Sequence, residues 1–216
     1  MDTPEEARDY DGMDHSEVNR LFVADLLSFV AGQGISDLGD TLDVGTGTAL
    51  IPIELCRTHP ACRVMAIDMA VHMLDLARYN IEAAGLTERI SLAQVDAKAM
   101  PFRDGMFAAV VSNSIVHHIP EPWACLKEMV RVTHPDNGLI FVRDLLRPAD
   151  DDMVNELVQT YAGNENAHSR QMFDDSLRAA LSLDEIRELV SQLGFDENHV
   201  KATSDRHWTW AANMTA

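Results

Sequence analysis

Three carboxylates stand at regular stations along this chain, one of them opening a glycine turn, and two adjacent histidines follow them. Asp43-Val44-Gly45-Thr46-Gly47 closes one short apolar run, Asp68 closes a second and Asp96 a third. Two glycines two residues apart let the backbone approach a bound nucleoside and still turn sharply into a helix. A carboxylate at each strand end accepts hydrogen bonds from hydroxyls or an amine and suits a cation, whereas none suits a pyrophosphate. The third glycine of a G-x-G-x-x-G dinucleotide fingerprint would fall at Leu50, so that fingerprint is incomplete. His117 and His118 follow a fourth apolar run. An imidazole near its ordinary pKa can take a proton at neutral pH, and since adjacent side chains diverge, one of the pair should point inward. No third ligand stands at a fixed local spacing from them, so no metal site is expected.

Such residues need a sheet whose strand ends gather on one edge. Residues 15–31 read as a helix with Val18, Leu21, Phe22, Leu26 and Phe29 on its buried side, and Asp14 and Glu17 supply a D-x-x-E arrangement near its start. Strand-like runs at 40–44, 63–67, 89–95, 106–112 and 138–144 alternate with helical spacing after Gly47, over 70–84 and over 122–133. Repeated βα units with short, nearly all-apolar strands predict a sheet covered by helices on both faces. Residues 148–180 read as an insertion over the site, with a helix at 151–161 and an irregular polar segment after Gly163. Ser182 and Glu185 form an S-x-x-E cap for a helix over 183–193. The last strands are expected at 195–203 and 206–214, the second placing Trp208 and Trp210 on one face against a helix. The whole reads as a single domain over 1–216 with an N-terminal helical cap at 1–34.

Composition narrows the partners. With 216 residues, 46% hydrophobic and 24% charged, the chain can bury a substantial core. Its net charge of −18 repels phosphate backbones, which disfavours nucleic acid and suits a small or cationic ligand. No basic start leads into an apolar run and no stretch reaches about 18 apolar residues, so neither a leader nor a membrane span is expected and a cytoplasmic location follows. Cys56, Cys62 and Cys125 form no C-x-x-C pair and read as reduced, buried thiols. A homodimer stays open, because a surface helix and an interface helix share one pattern.

The segments LDVGTGTA (42–49), AIDMA (66–70), VDAKAMPF (95–102), FAAVVSNSIVHHI (107–119) and residues 122–144 resemble the class I S-adenosylmethionine-dependent methyltransferases, in their small-molecule branch. The resemblance implies an α/β fold, a Rossmann-like three-layer sandwich whose mostly parallel seven-stranded sheet has an antiparallel last strand. It also implies S-adenosyl-L-methionine as cofactor. Gly45, Thr46 and Gly47 would face its methionine portion, while Asp43 would orient the glycine loop or act through water on the amine. Asp68, with Met69 beside it, would hold the ribose hydroxyls, Asp96 and Ala97 would meet the adenine, and Ser112 and Asn113 would line the methionine side. Ala49 stands where the family pattern D-x-G-x-G-x-G has its third glycine. Asp68 reads also as a helix cap, and Asp96 as a turn acid beside Lys98.

Methyl transfer is an in-line displacement that needs alignment and, for a protonated nucleophile, a base. His117 is assigned that role. The acceptor would meet Tyr10, His15 and Asn19 from the N-terminal side, His118, and Arg147, Tyr161, His168 and Arg170 from the insertion, the arginines suiting an anionic group. The expected function is methylation of a small molecule at O, N or C. Methylation of a protein or tRNA, and a non-catalytic S-adenosylmethionine-binding protein, are the alternatives, with a dehydrogenase behind them.

Overall fold

The computed structural model describes residues 16–35 and 37–214. Helix α1 (Ser16–Gly32) buries Phe22, Val23, Leu26 and Val30. Strand β1 (Asp40–Val44) follows, then α2 (Leu50–Thr58), β2 (Arg63–Asp68), α3 (Val71–Ala83), β3 (Ile90–Gln94) and β4 (Ala109–Asn113). A single 3₁₀ turn, Val116–His118, leads to α4 (Pro122–Val132), whose proline occupies the first turn, where its missing N–H costs nothing. Strand β5 (Leu139–Leu145) is buried along its whole length. Beyond it lie α5 (Asp151–Ala162), α6 (Ala167–Ala179), α7 (Leu183–Gln192), β6 (Val200–Ala202) and β7 (His207–Asn213).

The seven strands form one sheet in the order β3-β2-β1-β4-β5-β7-β6. The first five are mutually parallel, while β7 runs antiparallel to both β5 and β6. Period-two alternation divides the strands of the sheet between two cores. Leu42 and Val44 pack on one face with Leu126 and Met129 of α4 and Ile186 and Val190 of α7. Ala66, Ala109, Val111 and Phe141 pack on the other with Phe22 of α1, Ile53 of α2 and Ala77 of α3. This is the sheet covered by helices on both faces that the alternating strands and helices predict, and its antiparallel last strand is the one the resemblance implies.

Two segments differ from the sequence reading. The stretch after Gly163 is helical from Ala167 to Ala179, not irregular: the Asn166 side chain accepts a hydrogen bond from Ser169 N, and Leu177 is buried with Val154 and Leu157 of α5. A narrow apolar face docked on a neighbouring helix suffices where the remaining residues are polar. The strand expected over 195–203 shrinks to Val200–Ala202 because Asp196 accepts from Asn198 N and starts a 3₁₀ turn at Glu197–His199. The caps at Ser182 and Glu185 form in both directions. Trp208 and Trp210 are fully buried against α7.

Candidate active site

Strand order reverses between β1, which leads outward to β2 and β3, and β4, which leads to β5, and ligands of open α/β sheets bind outside the carboxyl ends at such a switch point. A cavity of about 350 Å³ opens there. Its floor is the turn after β1. Gly45 N and Thr46 N donate to the Ile67 carbonyl at 2.9 Å, and Gly47 N donates to the Asp68 carboxylate at 2.8 Å. Gly45 has φ +75°, and a Cβ there would lie 2.5 Å from Ile115, so only glycine lets the turn pass beneath the loop after β4. Ala49 and Ser114 hold the left-handed conformation without being glycine, at φ 63° and 59°, and both belong to the loops around this cavity.

Among the described residues, four buried side-chain oxygens of residues that line the cavity have no hydrogen-bond partner: Asp43 Oδ2, Thr46 Oγ1, Thr48 Oγ1 and Asn113 Oδ1. Buried polar atoms are ordinarily satisfied, so four such atoms on residues bordering one space suit a polar ligand there. Burial pushes the Asp43 carboxyl up to about 7, reinforced by the charge on Asp68. A cationic group beside it would reverse that shift. Asp68 accepts from both Gly47 N and Ala70 N, so it braces the glycine turn and leads the chain toward α3 while still facing the cavity. Asp96 is held below the usual carboxylate range by Lys98, whose backbone N–H and ammonium both bond it. The turn reading of Asp96 is thus realised, with its side chain on the cavity rim. Met73, Val95, Ala97 and Ile119 supply an apolar side.

The structure gathers Asn19, Asp43, Gly45, Thr46, Gly47, Asp68, Met69, Asp96, Ala97, Asn113 and His118 around this one space. Ser112 is not among them: it is fully buried, and its hydroxyl donates to the Val44 carbonyl, tying β4 to β1. His117 also turns away. Its Nδ1 lies 2.6 Å from Asp144 Oδ1, in a site only 4% exposed, while His118 is the histidine that opens on the cavity. Arg147 is paired with Glu185, Arg170 donates to the Glu165 carbonyl, and Tyr161 donates to Asp205 beneath the Arg206 guanidinium. No residue of 148–180, His168 included, lines the cavity, although α6 packs beside the Val116–His118 turn. Tyr10 and His15 lie outside the described residues.

Sequence reasoning passed over Thr48, Ser114, Ile115 and Ile119, all on the cavity. Thr48 was within reach of it, since it sits inside the same glycine turn. The role of Ser114 depends on a backbone angle that no residue type announces. Among the described residues no group of three His, Cys, Asp or Glu could hold a metal ion, and no helix is long and apolar enough to cross a membrane.

A family model described as a methyltransferase domain matches residues 42–141. The chain is 40% identical over 114 residues to a release factor glutamine methyltransferase of Chlorobaculum tepidum, a match spanning 51% of this chain and 38% of that protein. It is 28% identical over 205 residues to a malonyl-[acyl-carrier protein] O-methyltransferase of Geobacter sulfurreducens, covering 92% of this chain and 72% of that one. A crystal structure of a SAM-dependent methyltransferase from Aquifex aeolicus superposes with a TM-score of 0.67 at 17% identity, over 99% of this chain and all of that one.

Proposed function

We propose, from the methyltransferase-domain match over residues 42–141 and the fold, that the chain is a class I S-adenosylmethionine-dependent methyltransferase and that it methylates a small organic molecule. S-Adenosylmethionine, when bound, supplies a sulfonium methyl group that an electron pair on the acceptor displaces. The residues present fit that group. Asp43, with its buried and unpartnered oxygen, would hold the cationic methionine end, helped by the Thr46 and Thr48 hydroxyls and Asn113. Asp68 keeps lone pairs for a pair of hydroxyls beyond the two backbone bonds it already accepts. Ala97 and its apolar neighbours would flank a flat base, with Asp96 and Met69 at the rim.

The observation that carries this reading is that four residues lining the switch-point cavity each hold a buried side-chain oxygen without a partner. We assign the acceptor to Asn19, Ser114, His118 and Ile119, neutral polar and apolar groups among those lining the cavity. Among the described residues the single cation lining the cavity, Lys98, is already paired with Asp96. A compact neutral acceptor with an ionisable hydroxyl or amine suits this lining better than an anion, and Arg147 and Arg170, engaged elsewhere, leave the anion-binding role without support. Protein methylation is the second reading, favoured by the 40% identity to a release factor glutamine methyltransferase.

Calorimetry with S-adenosylmethionine and S-adenosylhomocysteine tests the core of the proposal. The wild type should bind both, and Asp68→Ala should lose about tenfold or more in affinity, the scale of a lost hydrogen bond to a charged group. Absence of heat with either ligand would sink it. Transfer of labelled methyl to a release-factor peptide rather than to small metabolites would favour the second reading.

A further inference from the structure

Resting on the methyl-transfer reading, we propose that His118 takes the acceptor's proton and that Asp144, acting through His117, is the positioning residue that sets the His118 ring in the cavity wall. The turn that carries both histidines is only three residues long. A piece so short has little internal hydrogen bonding to fix it. Its rigidity comes from a strand two elements later. Asp144 is the penultimate residue of β5 and is 1% exposed. Its Oδ2 accepts from the Val116 backbone N–H and its Oδ1 meets His117 Nδ1 at 2.6 Å, so both oxygens are engaged with the turn. A buried carboxylate is costly unless its lone pairs are engaged, and here its partners on the neighbouring loop are this turn.

The constraint passes to His118 by contact between the two tilted rings. The two imidazole rings lie with centroids 3.9 Å apart and planes inclined by 42°, and His118 N donates to the Ile115 carbonyl at 3.0 Å. Bonding of His117 Nδ1 to a carboxylate places the proton on that nitrogen and fixes the ring plane. The ring of His118 is left facing the cavity, beside Ser114, Ile115 and Ile119.

The proton balance is simple. As the acceptor heteroatom's electron pair forms its bond to the methyl carbon, the carbon–sulfur pair leaves with sulfur. The proton of the heteroatom moves to a His118 nitrogen and from there to water. Desolvation and the neighbouring His117 hold the His118 imidazole below its ordinary value, so it meets the acceptor neutral, with a lone pair to give. Asp144 acts in the opposite sense and favours the imidazolium that forms. A histidine depressed in this way needs an aligned partner to compete with water, and alignment is what Asp144 supplies.

The test is imidazole ¹⁵N spectroscopy on the full-length protein with S-adenosylhomocysteine, His118 being assigned by its loss in His118→Gln. The wild type should show one fixed neutral tautomer for His118. In Asp144→Asn the two His118 nitrogen resonances should move toward their average, and His117→Phe, which keeps a ring without the bond to Asp144, should do the same and carries the test alone if the first variant does not fold. S-Adenosylhomocysteine affinity by calorimetry should stay within about twofold of wild type in both. An unchanged His118 spectrum with binding intact overturns this proposal alone. Loss of binding in the variants also overturns it, by giving Asp144 the whole site rather than the ring, whereas a wild type that fails to bind removes the methyl-transfer reading beneath it.

Discussion

Asp43 carries the sharpest consequence at the scale of one residue. Its carboxyl sits near 7 because burial disfavours the charged form. The folded state therefore binds the proton more tightly than the unfolded chain, and stability is lost as pH rises from about 4 through 7. Asp43→Asn removes that loss: its melting temperature should exceed wild type at pH 8, with the advantage shrinking toward pH 4, in thermal scans of the ligand-free protein. The same substitution should weaken S-adenosylmethionine binding at least tenfold. For the wild type, affinity should decline as pH falls below about 7, approaching tenfold per unit, because a cationic ligand requires the carboxylate. Gly45 offers a second case. Gly45→Ala sets a Cβ against Ile115 at positive φ and should cost about 2–4 kcal/mol. Trimming the neighbour in Gly45→Ala/Ile115→Ala should recover part of that cost, read from a denaturant double-mutant cycle. Much of this site was legible in the chain, since strand-end acids and a glycine turn announce themselves locally. The histidines were not. Which of two adjacent rings turns inward depends on Asp144, which is 27 positions from His117 and meets it only once β4 and β5 are paired.

Among the elements, β7 holds the two largest buried side chains, Trp208 and Trp210. They share a face by strand alternation and pack on α7, with Phe195 edge-on to Trp210 at 5.3 Å. Trp210→Ala should cost about 3–5 kcal/mol in urea unfolding. Trp210→Phe should cost much less, because the indole N–H has no partner to lose. Strands and the long helices were readable because their apolar periods are strong; β1 begins and ends where the pattern puts it. Helix α6 was not, since few apolar residues mark its face and it is held by α5 rather than by its own propensity. It contacts the Val116–His118 turn, while no residue of 148–180 lines the cavity.

The whole molecule carries a net charge of −18, and only a few of those charges have work at the cavity. The rest repel one another across the surface. Raising NaCl from about 20 to 300 mM should therefore raise the melting temperature, while weakening S-adenosylmethionine binding as the acidic rim is screened. A melting temperature that fell with salt would show that ion pairs such as Arg131 with Glu128 and Asp104 outweigh the repulsion. Fold class followed from alternating apolar strands and helices, whereas the strand order rests on long-range pairing that no local pattern encodes. That order has a consequence for the chain as it leaves the ribosome. β7 is wedged between β5 and β6 although it is made after both. The cofactor half can assemble once residue 145 has emerged, but β5 must then wait for some sixty further residues with the backbone N–H and C=O groups of one edge unpaired. Synthesis arrested in that interval would release an intermediate that already binds its nucleoside and is also the form most prone to aggregate.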